Sequence, residues 1–117
     1  MKLADQQCSS YELDSPPLPR TVAEEFLRQV PQWALKDKTI EREFQFKDFR
    51  QAMEFVNKVA DIVRKQDHHP DILIMYNKVT LTLSTHKVGG LSPKDFILAA
   101  KIDLVIQQAD NTSKGVR

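Results

Sequence analysis

The sequence predicts an α+β fold, a four-stranded antiparallel sheet with helices on one face, in the order α-ββ-α-ββ-α. Three observations carry that reading. Residues 47–66 space their apolar side chains three and four apart, the period of an amphipathic helix. Residues 78–85 alternate apolar with polar side chains, the two-residue period of a half-buried strand. Two pairs of strand-like runs, each joined by a short turn, are separated and flanked by helical segments, which is the arrangement of an open sheet capped on one side.

A chain of 117 residues holds one domain. A domain of this size buries roughly 65% of the surface that its unfolded chain exposes, enough to fold without disulfide or metal staples. Charged residues at 28% and hydrophobic residues at 41% are ordinary for a globular protein, and the net charge of +1 leaves no basic footprint for nucleic acid or membrane. The single cysteine, Cys8, has no partner within the chain and reads as a free thiol. Met1–Ser10 contains no apolar signal-like run, and no stretch reaches transmembrane length. The expected compartment is the cytoplasm, with the nucleus as the second choice.

Taken in order, residues 1–19 are polar and end in Ser15-Pro16-Pro17-Leu18-Pro19, so they read as a flexible arm. Thr21 followed by Glu24 forms a capping-box pattern for a short helix over 21–30, closed by Pro31. Trp33–Leu35 and Thr39–Phe46 read as strands joined by Lys36-Asp37-Lys38. In the second strand Ile40, Arg42, Phe44 and Phe46 share one face, which Arg42 interrupts. The helix over 47–66 carries Phe49, Ala52, Met53, Val56, Val59, Ala60 and Val63 as a core stripe, widened by Phe55 and Ile62. Ile72–Tyr76 and Lys78–Thr85 form the second strand pair, with Val79, Leu81, Leu83 and Thr85 on one face and Thr80, Thr82, Ser84 and His86 on the other. Ser92-Pro93 starts the last helix, which runs to about 108. That helix is apolar nearly all round, from Phe96 to Ile106, and the excess predicts self-association. The organisation expected is an arm at 1–19, one domain at 20–109 and a frayed tail at 110–117.

The chemistry centres on imidazole, whose unperturbed pKa lies nearest neutrality. Two of the three histidines, His68 and His69, stand side by side after the long helix, and Pro70 forces His69 out of helical geometry. Their side chains diverge, so they are expected to do different jobs. His86 ends the alternating run on its polar face. No helical histidine pair at zinc-ligand spacing, no nucleophile in a recognisable turn and no glycine-rich phosphate loop is found; Gly89-Gly90 alone is weak. General acid–base catalysis by imidazole, with no covalent intermediate, is the expectation that remains, and its typical worth is about 10²–10⁴ in rate.

Asp67-His68-His69-Pro70, Tyr76-Asn77-Lys78-Val79, Leu83-Ser84-Thr85-His86 and Gly90-Leu91-Ser92 with Asp95 together resemble the pterin-4a-carbinolamine dehydratase family, over roughly residues 40–108. Phe46-Lys47-Asp48-Phe49 resembles it as well. The resemblance implies cofactor-free dehydration of a 4a-hydroxytetrahydropterin to a quinonoid dihydropterin, in tetrahydrobiopterin recycling. It implies His68 and His86 as the acid–base pair and His69 as the residue that positions the pterin. Asp95 would support the site, although Ser92 and Asp95 also spell a capping box. The segments His68–Pro70 and Thr85–Val88, with Lys87 among them, would line the pocket. Tyr76 reads as packing.

The sequence departs from the family pattern at two places. Arg64 stands where an acidic residue usually precedes the first histidine by four, and Ile72 replaces an aromatic residue. The alternative that the resemblance carries is a non-catalytic binding protein of the same fold, a transcriptional dimerisation cofactor or an assembly factor. Under either reading a homo-oligomer, dimer or tetramer, is expected.

Overall fold

The computed structural model describes residues 2–8 and 16–112, with side chains described through residue 107. Its helices are α1 (Arg20–Leu27), α2 (Phe49–Gln66) and α3 (Pro93–Thr112), and its strands are β1 (Ala34–Leu35), β2 (Ile40–Gln45), β3 (Asp71–Met75) and β4 (Lys78–Leu83). The described residues also include two single 3-10 turns, Leu3–Asp5 and His86–Val88. The strands form one antiparallel sheet in the order β1-β2-β4-β3. The α+β class and the element order read from the sequence are those observed. No described helix is long and apolar enough to cross a membrane.

Register explains why the helices take one face. β2 sets Ile40 against Leu83, Arg42 against Leu81 and Phe44 against Val79. All of these except Arg42 are buried. The intervening pairs, Glu41 with Thr82 and Glu43 with Thr80, point the other way and stay in contact with solvent. Alternation thus sends every large apolar side chain of β2 and β4 toward α2 and α3. Ala52, Phe55, Val59 and Val63 of α2 meet that face, and Phe55 lies 4.6 Å from the Phe44 ring and 5.1 Å from the Phe46 ring. Each buried Phe, Val, Leu or Ile among them contributes about 1.5–3 kcal/mol.

Local chemistry sets the limits of α2. Asp48 caps its start, accepting the Gln51 backbone N–H at 2.9 Å, while Gln51 Oε1 accepts the Lys47 N–H. Its end comes before Pro70: Asp67 takes a left-handed conformation at φ 53° and donates its N–H to the Val63 carbonyl. At α1 the Thr21–Glu24 capping box is not formed. The helix starts one residue earlier, at Arg20, after Pro19 and without a side-chain cap, because the Pro19 carbonyl already takes the Val22 and Ala23 N–H groups.

The arm expected at 1–19 needs correction wherever it is described. Leu3 and Cys8 are fully buried, the Leu3 N–H reaches Gln29 Oε1 at 3.0 Å, and the Cys8 N–H reaches Gln66 Oε1 at 2.9 Å. Lys101 donates to the Ala4 carbonyl. Nearer the domain, Leu18 N–H bonds the Leu91 carbonyl. Residues 9–15 of the expected arm lie outside the described residues. The expected frayed tail is helical through Thr112, and 113–117 also lie outside them.

This segment overturns the argument from α3. Phe96 through Ala100 are buried in a row, with Ile102 and Ile106, because α2, α1 and the N-terminal residues pack against the helix and Arg42 of β2 reaches its Asp103. Phe26 of α1 stacks on Phe96 at 5.3 Å. The apolar excess of α3 is therefore satisfied within the chain and is no evidence for self-association; Leu104 alone among its described large apolar side chains is exposed. Exposed apolar surface lies instead on the edge strand β3 and its turn, at Ile72, Leu73, Met75 and Tyr76, with Phe49 stacked against Tyr76.

Candidate active site

Antiparallel pairing brings the histidine-bearing segments to one end of the sheet. Asp71, the first residue of β3, faces Thr82 near the end of β4. The chain carrying His68 and His69 therefore enters β3 beside the point where the chain carrying Thr85 and His86 leaves β4. The strand does not persist to His86, as the alternation implied. β4 stops at Leu83, and Thr85 makes an isolated bridge to Gly90, closing the four residues His86–Gly89 into a tight loop. Gly89 closes it at φ +73°, a conformation open to glycine, and Gly90 leaves 3.0 Å between its missing Cβ and Pro17.

One side chain organises this end. Asp95 is completely buried at the start of α3. Its Oδ1 lies 2.6 Å from His68 Nε2, and its Oδ2 accepts the Thr85 hydroxyl at 2.8 Å and the Ser92 N–H at 3.0 Å. Thr85 and Ser92 hydroxyls are 2.7 Å apart, and Ser92 Oγ accepts the Lys94 N–H. One carboxylate thus serves two groups, with one oxygen on the helix cap and one on the imidazole. The helix N-terminus adds a favourable field for that negative charge.

The other candidates are placed differently. His68 is buried, whereas the His69 side chain is 68% exposed, with Nε2 3.8 Å from Asp67 Oδ1. His86 is exposed at the head of its turn, and Lys87 beside it is exposed as well. Among the described residues no hydrogen bond joins the three imidazoles to one another; His68 is tied to the His86 segment through Asp95 and Thr85. Arg64 pairs with Asp61 on the exposed flank of α2. Tyr76 is exposed in the β3–β4 turn, at the opposite end of the sheet. Among the described residues no group of three or more metal-ligating side chains is arranged to hold an ion.

A second polar cluster went unread in the sequence. Trp33 Nε1 and an Arg42 N–H both donate to Asp103 Oδ1 at 2.8 Å, and the guanidinium lies 4.4 Å over the Phe44 ring. This is what Arg42 does on an otherwise apolar face. Burial raises the Asp103 carboxyl above its ordinary pKa, and Trp33 and Arg42 oppose that shift. A cleft of about 520 Å³ beside it is lined by Leu3, Gln29, Arg42, Asp103 and Ile106 and contains none of the histidines.

Fold and site together define a class: a small α+β protein with a one-sided antiparallel sheet and a buried carboxylate–imidazole pair at one end. The chain belongs to the pterin 4 alpha carbinolamine dehydratase family, whose family model matches residues 16–105. A Nitrosospira multiformis protein named "Putative pterin-4-alpha-carbinolamine dehydratase" is 48% identical over 105 residues, covering 90% of this chain and 93% of the relative. A Nitrosomonas eutropha protein of the same name is 46% identical over 105 residues, covering 89% and 93%. Among solved structures, a transcriptional coactivator/pterin dehydratase from Brucella melitensis matches with a TM-score of 0.72 at 35% identity, over 76% of this chain and 97% of that one.

Proposed function

We propose that this protein dehydrates a 4a-hydroxytetrahydropterin to a quinonoid dihydropterin and water, by histidine acid–base catalysis and without a cofactor. The single observation that carries the proposal is the 2.6 Å contact between His68 Nε2 and the buried Asp95 carboxylate. A carboxylate without a proton accepts, so the imidazole donates from Nε2 and leaves Nδ1 as its basic nitrogen. In the reaction the C4a–O bond breaks, the hydroxyl takes a proton and leaves as water, and a ring N–H gives up a proton. His68 Nδ1 is the base in this account and His86, at the head of its turn, the acid. His69, mostly exposed, positions the pterin. Backbone of His68–Pro70 and Thr85–Val88 lines the site. The reaction balances without redox change, since one water leaves and one proton is gained as one is lost.

Support beyond the geometry comes from the family model and from the relatives' names, which read "Putative pterin-4-alpha-carbinolamine dehydratase". The compartment that suits this reading is the cytoplasm, and the pathway tetrahydrobiopterin recycling.

The protein assembles, in this account, by pairing β3 with β3 of a second copy. An edge strand is a template for another strand, and this one exposes Leu73 and Met75 on one face and Ile72 on the other. The same edge is what favours the second reading, a binding protein of this fold that engages other proteins.

The test is the dehydration of synthetic 4a-hydroxytetrahydropterin, followed by absorbance, with purified protein and a chelator present. Acceleration over buffer is expected. A wild-type rate equal to buffer passes the case to the binding-protein reading.

A further inference from the structure

We infer that the Thr85 hydroxyl is a positioning residue that fixes, through Asp95 and Ser92, which nitrogen of His68 is left to work. The inference rests on the acid–base reading above and deepens it. Thr85 itself enters that reading through its backbone; its side chain is assigned nothing there.

Hydrogen counting gives the network a direction. Thr85, Ser92 and Asp95 are all buried, so each polar atom must find its partner inside the cluster. Two members are backbone N–H groups that cannot reverse: Ser92 N–H ends on Asp95 Oδ2, and Lys94 N–H ends on Ser92 Oγ. Thr85 has one hydroxyl hydrogen, and it goes to Asp95 Oδ2 at 2.8 Å. The 2.7 Å contact between the hydroxyls then requires the Ser92 hydrogen. The chain runs one way, from Ser92 to Thr85 to Asp95. With Oδ2 occupied twice, Oδ1 is the oxygen turned to His68, and it takes Nε2–H at 2.6 Å.

Position adds a second consequence. Thr85 also forms the backbone bridge to Gly90 that pinches off the turn beginning at His86. A single residue therefore touches the carboxylate behind one imidazole and immediately precedes the other. Removing its hydroxyl leaves Oδ2 with the Ser92 N–H alone and the Ser92 hydroxyl without an acceptor, so the carboxylate is held less firmly and the His68 ring loses its fixed orientation and tautomer.

The experiment compares wild type with Thr85→Val, which keeps the shape and loses the hydroxyl, and Thr85→Ser, which keeps the hydroxyl. Two readouts are taken: steady-state kinetics, and the ring ¹⁵N shifts of His68 by long-range ¹H–¹⁵N correlation. Wild type shows a single Nε2-protonated tautomer. Thr85→Val gives averaged ring shifts and a kcat lower by about tenfold or more, with KM changed less than about threefold. Thr85→Ser restores both, which separates a lost hydroxyl from a lost fold. Wild-type shifts in Thr85→Val overturn the inference, whatever happens to kcat, because a rate loss alone would make Thr85 a substrate contact. An inactive wild type with tautomer averaging in Thr85→Val sinks the dehydratase reading and leaves this one standing.

Discussion

His68 and Asp95, 27 residues apart in the chain, meet at 2.6 Å in the interior, and the same carboxylate caps helix α3 through its other oxygen. Stability and the candidate chemistry therefore share a side chain. Asp95→Ala leaves His68, Thr85 and the Ser92 N–H without their acceptor, and the expected loss is about 3–5 kcal/mol in denaturant titration. Asp95→Asn keeps the shape but turns a donor toward donors, and about 1–3 kcal/mol is expected. A change below the error of the titration for both would mean that the contact contributes nothing to the fold.

Cys8 gives a pH signature. Burial pushes its thiol from an ordinary 9.0 up to about 11, with Lys94 and Lys101 opposing. Between those values the unfolded chain has released a proton that the folded chain still holds. Stability therefore falls as pH rises from about 9, by at most roughly 2–3 kcal/mol, and levels off above the folded value. Cys8→Ala should flatten that limb. A thiol reagent at neutral pH should react at the rate of unfolding, and fast labelling of native protein would contradict the burial.

The N-terminal residues are a further test. Leu3→Ala should cost about 2–4 kcal/mol, as for other core truncations, because its side chain is fully buried. Wild-type stability in the variant would return residues 2–8 to the status of an arm.

On the edge strand, Leu73→Lys combined with Met75→Lys should shift the sedimentation coefficient from that of an oligomer to that of one chain. An unaltered oligomer would place the interface elsewhere. Because Arg64 is engaged by Asp61 on the outside of α2, Arg64→Glu should change the dehydration rate less than about threefold.

How much of this was readable follows from which signals are local. Period two in Val79–Thr85 and spacing three and four along α2 are set by backbone geometry, and both appear, with two members exchanged: Phe49, read as core, is exposed against Tyr76, and Phe55, read as flanking, is buried. Ser92-x-x-Asp95 was legible as a cap for the same reason. What the pattern could not show is where the second carboxylate oxygen points, because His68 arrives from a different segment. The end of β4 was misplaced because His86 continues the alternation by identity while the Thr85–Gly90 bridge turns the backbone. Leu3 and Cys8 are isolated apolar residues among polar ones, with no period to mark them as core. Without their packing, the apolar girth of α3 looks like a surface for a partner. Arg42 interrupts an apolar face in the sequence because its companions Trp33 and Asp103 lie outside its strand.

The central claim is that an imidazole backed by Asp95 and a second at His86 dehydrate a carbinolamine together. Initial rates of 4a-hydroxytetrahydropterin dehydration for wild type, His68→Ala and His86→Ala test it most directly. The account predicts acceleration by wild type and a loss of about 10²–10⁴ in each variant, each still folded by circular dichroism. Variants that both retain the wild-type rate would contradict it.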